Sequence, residues 1–258
     1  FWLTTDMPTT AKVGETVSIS LVDITAENTT VLPQTTETAS TSVAQGISGT
    51  INVGANATYT TIQGAVDALK AGMDGPVTIS IESGKYNERV NIPQVPGMSH
   101  TNTLTLRAAS GKRGDVHIYH DHFSKGGYDP DQMSNDYGVV TIDGADYTTL
   151  EALEISTQDP TYPGVIHLRN QSRNVTVDNC YIHAPQSTNI QQKVTLVNMY
   201  SKNVANANND YFTLKRSLLE GGYTGVRLGG TGFVSLLAEM GGQVVGNVLR
   251  NQGAKAIY

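Results

Sequence analysis

The chain has 258 residues, enough for one large domain and an appendage, with 26 glycines, a hydrophobic share of 38% and a formal net charge of −6. A low apolar share with abundant glycine suits a thin-cored repeat architecture that turns often. The negative balance excludes a basic nucleic-acid footprint, and no apolar run is long enough to span a membrane as a helix.

There is no initiating Met and no signal-peptide pattern. Phe1 is followed by strand-like sequence and Tyr258 falls within a repeat, so the chain reads as a segment of a longer protein whose targeting signal lies elsewhere. Residues 1–45 form a distinct region. Val17, Ile19 and Leu21 alternate with Thr16, Ser18 and Ser20, a strand pattern. Residues 26–45, dense in Thr, Glu and Ser, read as a polar linker. This region is expected to be the end of a preceding β-domain, or an extended strand, running into that linker. The Asn-X-Thr triplets at Asn28, Asn56 and Asn174 carry little weight, because such triplets are common by chance.

Residues 46–258 form the main domain. Ile62, Ala65, Val66 and Leu69 recur at helical spacing and predict a short amphipathic helix over 61–70, stopped by Gly72 and by Gly75-Pro76. Val77, Ile79 and Ile81 then alternate as a strand, Ser83 to Tyr86 turn a corner, and Val90 and Ile92 open the next strand. In Val116-HIYHDHF, His117, His120 and His122 cluster. Inward Val116 and Ile118 place His117 outward, and two His on one strand face can ligate a metal. The polar stretch 128–137 carries Asp129, Asp131, Asn135 and Asp136. Asp129, Asp131 and Asp136 are Ca²⁺ candidates, although the spacing is not that of an EF-hand and a plain turn explains them as well. No cofactor is required by this reading.

One phrase then recurs. Val175 and Val177, then Asn179, then Cys180 and Ile182, make short strand, corner, short strand. Thr148, Leu150, Leu153 and Ile155 repeat it 27 residues earlier (175 − 148), and Phe212, Leu214, Ser217 and Leu219 repeat it 37 residues later (212 − 175). A weaker copy near Val244 places Asn247 in the corner position of Asn179. Unequal spacing is expected of a solenoid whose loops differ in length. The fold expected is all-β: a right-handed parallel β-helix with an N-terminal capping helix. Cys180, the single cysteine, reads as a small core residue and does not identify the compartment.

The segments YTTIQGAVDAL (59–69) and GPVTISIESGKYNERVNIP (75–93) resemble the opening of the pectin-lyase-like parallel β-helix superfamily. With NTLTLRAASG (102–111) and VTIDGADYTTLEALEI (140–155), the resemblance is closer to large bacterial surface proteins secreted with a C-terminal sorting tail, and it covers 46–258. It implies the fold and a secreted or cell-surface location. The pectinesterase active-site motifs, a Gln–Asp pair, an Asp in DFIFG and an Arg before Pro-Trp, have no counterpart. The comparable location reads HAPQSTNI (183–190), and Trp2 is the only Trp.

A lyase or esterase needs carboxylates with an Arg or Lys in one groove. Asp143, Arg169 and Asp178 are the catalytic candidates, reading outward on neighbouring repeats, with Asp146, His167, Arg216 and Arg227 nearby in the pattern. Ordinary solvated charges on a solenoid exterior are the competing explanation. An enzyme gathers these groups; a structural solenoid scatters them. The reading favoured is a segment of a surface protein acting as adhesin, stalk or scaffold, with a polysaccharide or surface glycan and neighbouring domains of the longer chain as partners. The alternative is a polysaccharide lyase or carbohydrate esterase.

Overall fold

Short apolar alternations cannot bury their faces alone, and in the computed structural model they do so by stacking. The structure describes residues 14, 16–20, 24–26, 29–31, 38–42, 45–121, 138–159, 164–189, 194–200, 208–229 and 240–257. Two compact units are present, Phe1–Gly46 and Ile47–Tyr258.

In the first unit, Thr16–Ser20 pairs antiparallel with Thr38–Ser42, and Ile24–Ala26 pairs antiparallel with Thr29–Val31. The strand expected at 16–21 is present over Thr16–Ser20, and Leu21 lies outside the described residues. The stretch expected as a linker is not all linker: its Thr residues, β-branched and favoured in strands, supply two of these partners.

The second unit is a right-handed parallel β-helix built of three parallel sheets. The first sheet stacks Ile47–Val53, Met73–Ile81, Leu104–Ala108, Thr148–Glu151, Thr176–Asp178, Thr213–Lys215 and Gln243–Val245. The second stacks Gly84–Asn87, Val116–Tyr119, Glu154–Ser156, Tyr181–Ala184, Leu218–Gly221 and Val248–Arg250. The third stacks Val90–Pro93, Gly138–Asp143, Gly164–Arg169, Thr195–Tyr200, Thr224–Gly229 and Lys255–Ile257. Each inward column is apolar. Ile79, Leu106, Leu150, Val177 and Leu214 succeed one another in the first sheet, and Ile118, Ile155, Ile182 and Leu219 in the second. All nine side chains are fully buried.

The helix Ile62–Ala68, continued as a 3₁₀ turn Leu69–Ala71, lies on the strands of the first coil. It buries Ile62, Ala65, Val66 and Leu69, the stripe its spacing predicts. Thr61 caps it, its hydroxyl accepting from the Gly64 N–H at 3.1 Å. The Glu88 carboxylate accepts from the N–H groups of Ile62 and Gln63, both at 3.0 Å, placing negative charge at the positive helix end. Among the described residues, no helix is long and apolar enough to cross a membrane.

In the last four coils the corner between the first and second sheets takes one left-handed residue. Ala152, Asn179, Arg216 and Gly246 have φ of 56°, 51°, 52° and 64°. Asn179 therefore sits at the bend expected of it. Asn247 does not share its position: Asp178 pairs with Lys215 and Lys215 with Val245, so Gly246 occupies the bend and Asn247 aligns with Cys180 and Ser217. Glycine takes this conformation without steric cost, which is why the last copy of the repeat carries it. Asn247 serves the corner differently. Its Oδ1 accepts from the Ser217 N–H at 2.8 Å and its Nδ2 donates to the Leu214 carbonyl at 2.8 Å. The Ser217 hydroxyl in turn accepts from the Cys180 N–H at 3.0 Å. Asn247→Ala is expected to cost about 1–3 kcal/mol, because it strands the Ser217 N–H, and to raise hydrogen exchange of that amide. An unchanged exchange rate would remove this bridge from the account.

Candidate functional site

The sequence candidates fall in three places. Asp143 and Arg169 are register partners ending adjacent strands of the third sheet. An Arg169 Nη donates to the Asp143 carboxylate at 2.6 Å, and the Asn170 side-chain amide donates to its other oxygen at 2.5 Å. Asp178 is not with them. It ends a strand of the first sheet, where it accepts from both Nε (2.8 Å) and Nη of Arg216, with Lys215 Nζ 3.5 Å away. The Arg216 hydrogen bonds hold the Asp178 carboxyl below the usual carboxylate range. The structure thus joins Asp143 to Arg169 and separates Asp178 from both, because the coil puts their strands in different sheets. Asp146 has a backbone role, accepting from the Arg173 N–H at 2.7 Å on the next coil.

The Ca²⁺ candidates Asp129, Asp131 and Asp136 lie outside the described residues, as does His122.

Outward positions at the middle of the third sheet are covered. His167 is fully buried, and Thr141, Asn198 and Arg169 are nearly so. Every residue of Gly164–Arg169 is buried, so both faces of this strand are covered. The amide nitrogen of Asn198 lies 3.1 Å from His167 Nδ1. Burial, with the Arg169 charge beside it, pushes the His167 pKa down to about 3, so the ring is neutral.

The outward face of the second sheet carries a cluster that sequence reasoning only partly found. His117 points outward, as expected, and its strand neighbours supply what the linear spacing hid. His117 pairs in register with Glu154 on the next coil, and His183 pairs with Ser156 one coil further. Glu154 Oε1 lies 2.9 Å from His183 Nε2 and 3.7 Å from His117 Nε2. The Ser156 hydroxyl is 2.7 Å from the same His117 nitrogen. The Tyr181 ring stacks on His183 with centroids 4.4 Å apart, and Tyr119 tilts against His117 at 5.1 Å. The Tyr181 hydroxyl donates to Glu220 at 2.8 Å, and Arg250 donates to the same carboxylate at 2.9 Å. Burial, then the Glu220 carboxylate, pushes the Tyr181 pKa up to about 12, so the phenol stays a donor. Burial pushes His117 down, with the Glu154 charge pulling the other way. His120 lies past the strand end, with Nδ1 3.4 Å from Asn87 Oδ1, apart from this cluster. Cys180 has no part in any of these sites. It is fully buried, and burial pushes its thiol up to about 12, so it stays protonated and inert.

No protein-family model matches the chain, and no curated protein does. Solved structures do. The pectin methylesterase from Aspergillus niger is 18% identical over 70% of this chain and 52% of that one, with a TM-score of 0.48. Pectin methylesterase PemA from Erwinia chrysanthemi is 15% identical over 66% and 49%, with a TM-score of 0.45. Pectate lyase Pel9A is 12% identical over 77% and 48%, with a TM-score of 0.42. The chain spans about half the length of these structures. The likeness is one of fold alone, and the fold itself is established by the rungs: the chain is a parallel β-helix.

Proposed function

We propose that this chain is a segment of a secreted or cell-surface bacterial β-helix protein, acting as an adhesin, stalk or scaffold with a glycan as its ligand. The observation that carries the reading is the dispersal of charge: Asp143 is matched by Arg169 on one sheet and Asp178 by Arg216 on another. A carboxylate already held by a cation of the next coil is a strut between coils and a poor nucleophile or base. The glycan surface is the outer face of the second sheet. Tyr119 and Tyr181 there offer ring faces to the C–H face of a sugar, and neighbouring carboxylates and imidazoles accept and donate to its hydroxyls. A glycan-array screen of the chain is expected to return binders whose signal falls at least about tenfold in Tyr181→Ala, the usual effect of removing an aromatic anchor. Binding unchanged in Tyr119→Ala and Tyr181→Ala would remove this face from the proposal.

A second reading, a polysaccharide lyase or esterase, is favoured by the adjacency of Asp143 and Arg169 beside buried His167. Assays for methanol release and for unsaturated product on pectin and pectate, with and without Ca²⁺, separate the two. No turnover is expected. Turnover abolished by Arg169→Ala would establish the enzyme instead.

A further inference from the structure

We propose that His117, Glu154 and His183 form a binding site for a divalent transition-metal ion of the zinc type on the outer face of the second sheet. The three residues come from three successive coils and are 37 and 29 positions apart in sequence (154 − 117, 183 − 154), so only the winding of the helix brings them together. Their ligand atoms, two imidazole nitrogens and one carboxylate oxygen, lie within 4.8 Å of one another. Ligand atoms around a tetrahedral zinc with bonds of about 2.0–2.2 Å stand about 3.4 Å apart. The separations of 2.9 and 3.7 Å from Glu154 Oε1 bracket that spacing. The two imidazole nitrogens lie within 4.8 Å of each other, so closing the three ligands on an ion calls for side-chain shifts of no more than about 1.4 Å.

The donor set decides the ion. Two imidazoles and one carboxylate suit Zn²⁺, Co²⁺ or Ni²⁺, whereas Ca²⁺ and Mg²⁺ require oxygen ligands throughout. The setting is built for a fixed ligand geometry. Tyr181 stacks against the His183 ring, and its hydroxyl is held by Glu220, which Arg250 holds in turn. Ser156, almost fully buried, places its hydroxyl 2.7 Å from His117 Nε2, a hydrogen bond that an ion at that nitrogen replaces. The Glu154 carboxylate and the nearby Asp121 offset the positive charge of the ion, and Lys85, the register partner of His117, opposes it. Each ligating side chain is about one-fifth exposed, so the coordination positions left open by three protein ligands face solvent. In the metal-free chain His183 Nε2 and Glu154 Oε1 are hydrogen-bonded at 2.9 Å, and an ion at the same place replaces that bond with two metal–ligand bonds.

This inference does not depend on the glycan reading, because the titration needs no glycan. The untagged chain, stripped with chelator, is titrated with Zn²⁺ by calorimetry and with Co²⁺ by visible absorption. A single saturable site with the intense visible bands of low-symmetry Co²⁺ is expected. His183→Ala and His117→Ala should each weaken it by at least the ~10–100-fold that follows loss of a mere supporting residue. Glu154→Gln, which keeps shape and removes charge, should weaken it comparably. Tyr181→Phe, which keeps the stacked ring and frees it from Glu220, should weaken it less. His100→Ala, in an exposed turn, should leave it intact. Each variant is checked for wild-type circular dichroism, so that unfolding is not mistaken for ligand loss. Wild-type chain that binds no Zn²⁺, or Zn²⁺ affinity unchanged in all three ligand variants, overturns the proposal.

Discussion

Val177→Asp is expected to unfold the central coils. Val177 is fully buried, stacked between Leu150 on one coil and Leu214 on the next. A carboxylate there has no cation within the apolar column, and an uncompensated buried charge costs about 3–5 kcal/mol, to which the lost apolar burial adds. A whole domain of this kind is stable by about 5–15 kcal/mol, so the substitution consumes most of the margin. Val177→Ala, which leaves only a cavity, should cost about 2 kcal/mol. Thr176→Asp is the parity control. Thr176 is the next residue on the same strand, faces outward and is half-buried, so an ionised side chain there reaches water. Urea denaturation followed by circular dichroism checks all three. Because each coil contacts only its neighbours, hydrogen exchange in Val177→Asp should rise most in the adjoining coils and less near the capping helix. A Val177→Asp protein as stable as Thr176→Asp would place Val177 on the outside and undo the register.

The fold was legible because its signal is additive along the chain. The offsets of 27 and 37 residues between copies of the repeat are the register offsets of the first sheet, Thr149 to Thr176 to Thr213. Period-two alternation fixes which side chains face the core, and a copy one coil away tests the same parity again. The error of one residue at Asn247 shows the limit of that signal. An Asn suits both a left-handed bend and an amide bridge, so residue type alone could not choose between the corner and the position after it, while Gly246 admits only the first reading without strain.

The candidate site was less legible for a geometric reason. In a solenoid, neighbours in space are separated by one coil, and coil length varies with the loops. Aligning Ile155 with Ile182 already placed Glu154 and His183 on the outward parity of adjacent coils. What was missing was the offset of the preceding coil, where 122–137 interrupts the phrase and His117 could not be placed against Glu154. The pairing of Asp143 with Arg169 needs an offset of 26 (169 − 143), one less than the 27 that aligns Ile155 with Ile182, so the repeated phrase did not give it. Burial of the third sheet's outer face has no such signature. His167 and Arg169 carry polar side chains, and only the three-dimensional cover over their strand turns them from solvated charges into buried groups.

That cover makes the protein sensitive to acid. His167 has a folded-state pKa of about 3 against an ordinary 6.5, with burial as the main cause. The groups facing it are Arg169 and Arg227, whose charges oppose its protonation, and Asp143, whose charge favours it. Because the folded value is depressed, the unfolded chain binds the extra proton between about pH 6.5 and pH 3. Folding stability is therefore full above about pH 6.5 and falls as the pH drops through that window, by up to about 1.4 kcal/mol per pH unit. Between pH 7 and pH 5 the loss through this one residue is about 2 kcal/mol. Asp178, whose carboxyl is held below 3.8, adds its own loss only in more acidic solution, so the two effects separate along the pH axis. The check is the urea midpoint and slope at half-unit steps from pH 7.5 to pH 5, for wild type and for His167→Gln, which keeps a hydrogen-bonding group for Asn198 but cannot titrate. His167→Gln starts from a lower stability, since it gives up ring packing, yet its stability should fall by about 2 kcal/mol less than wild type over the interval. Other histidines contribute equally to both proteins and cancel in the difference. Parallel pH profiles would mean that His167 protonates in the folded state, and that the outer face of the third sheet is open to water.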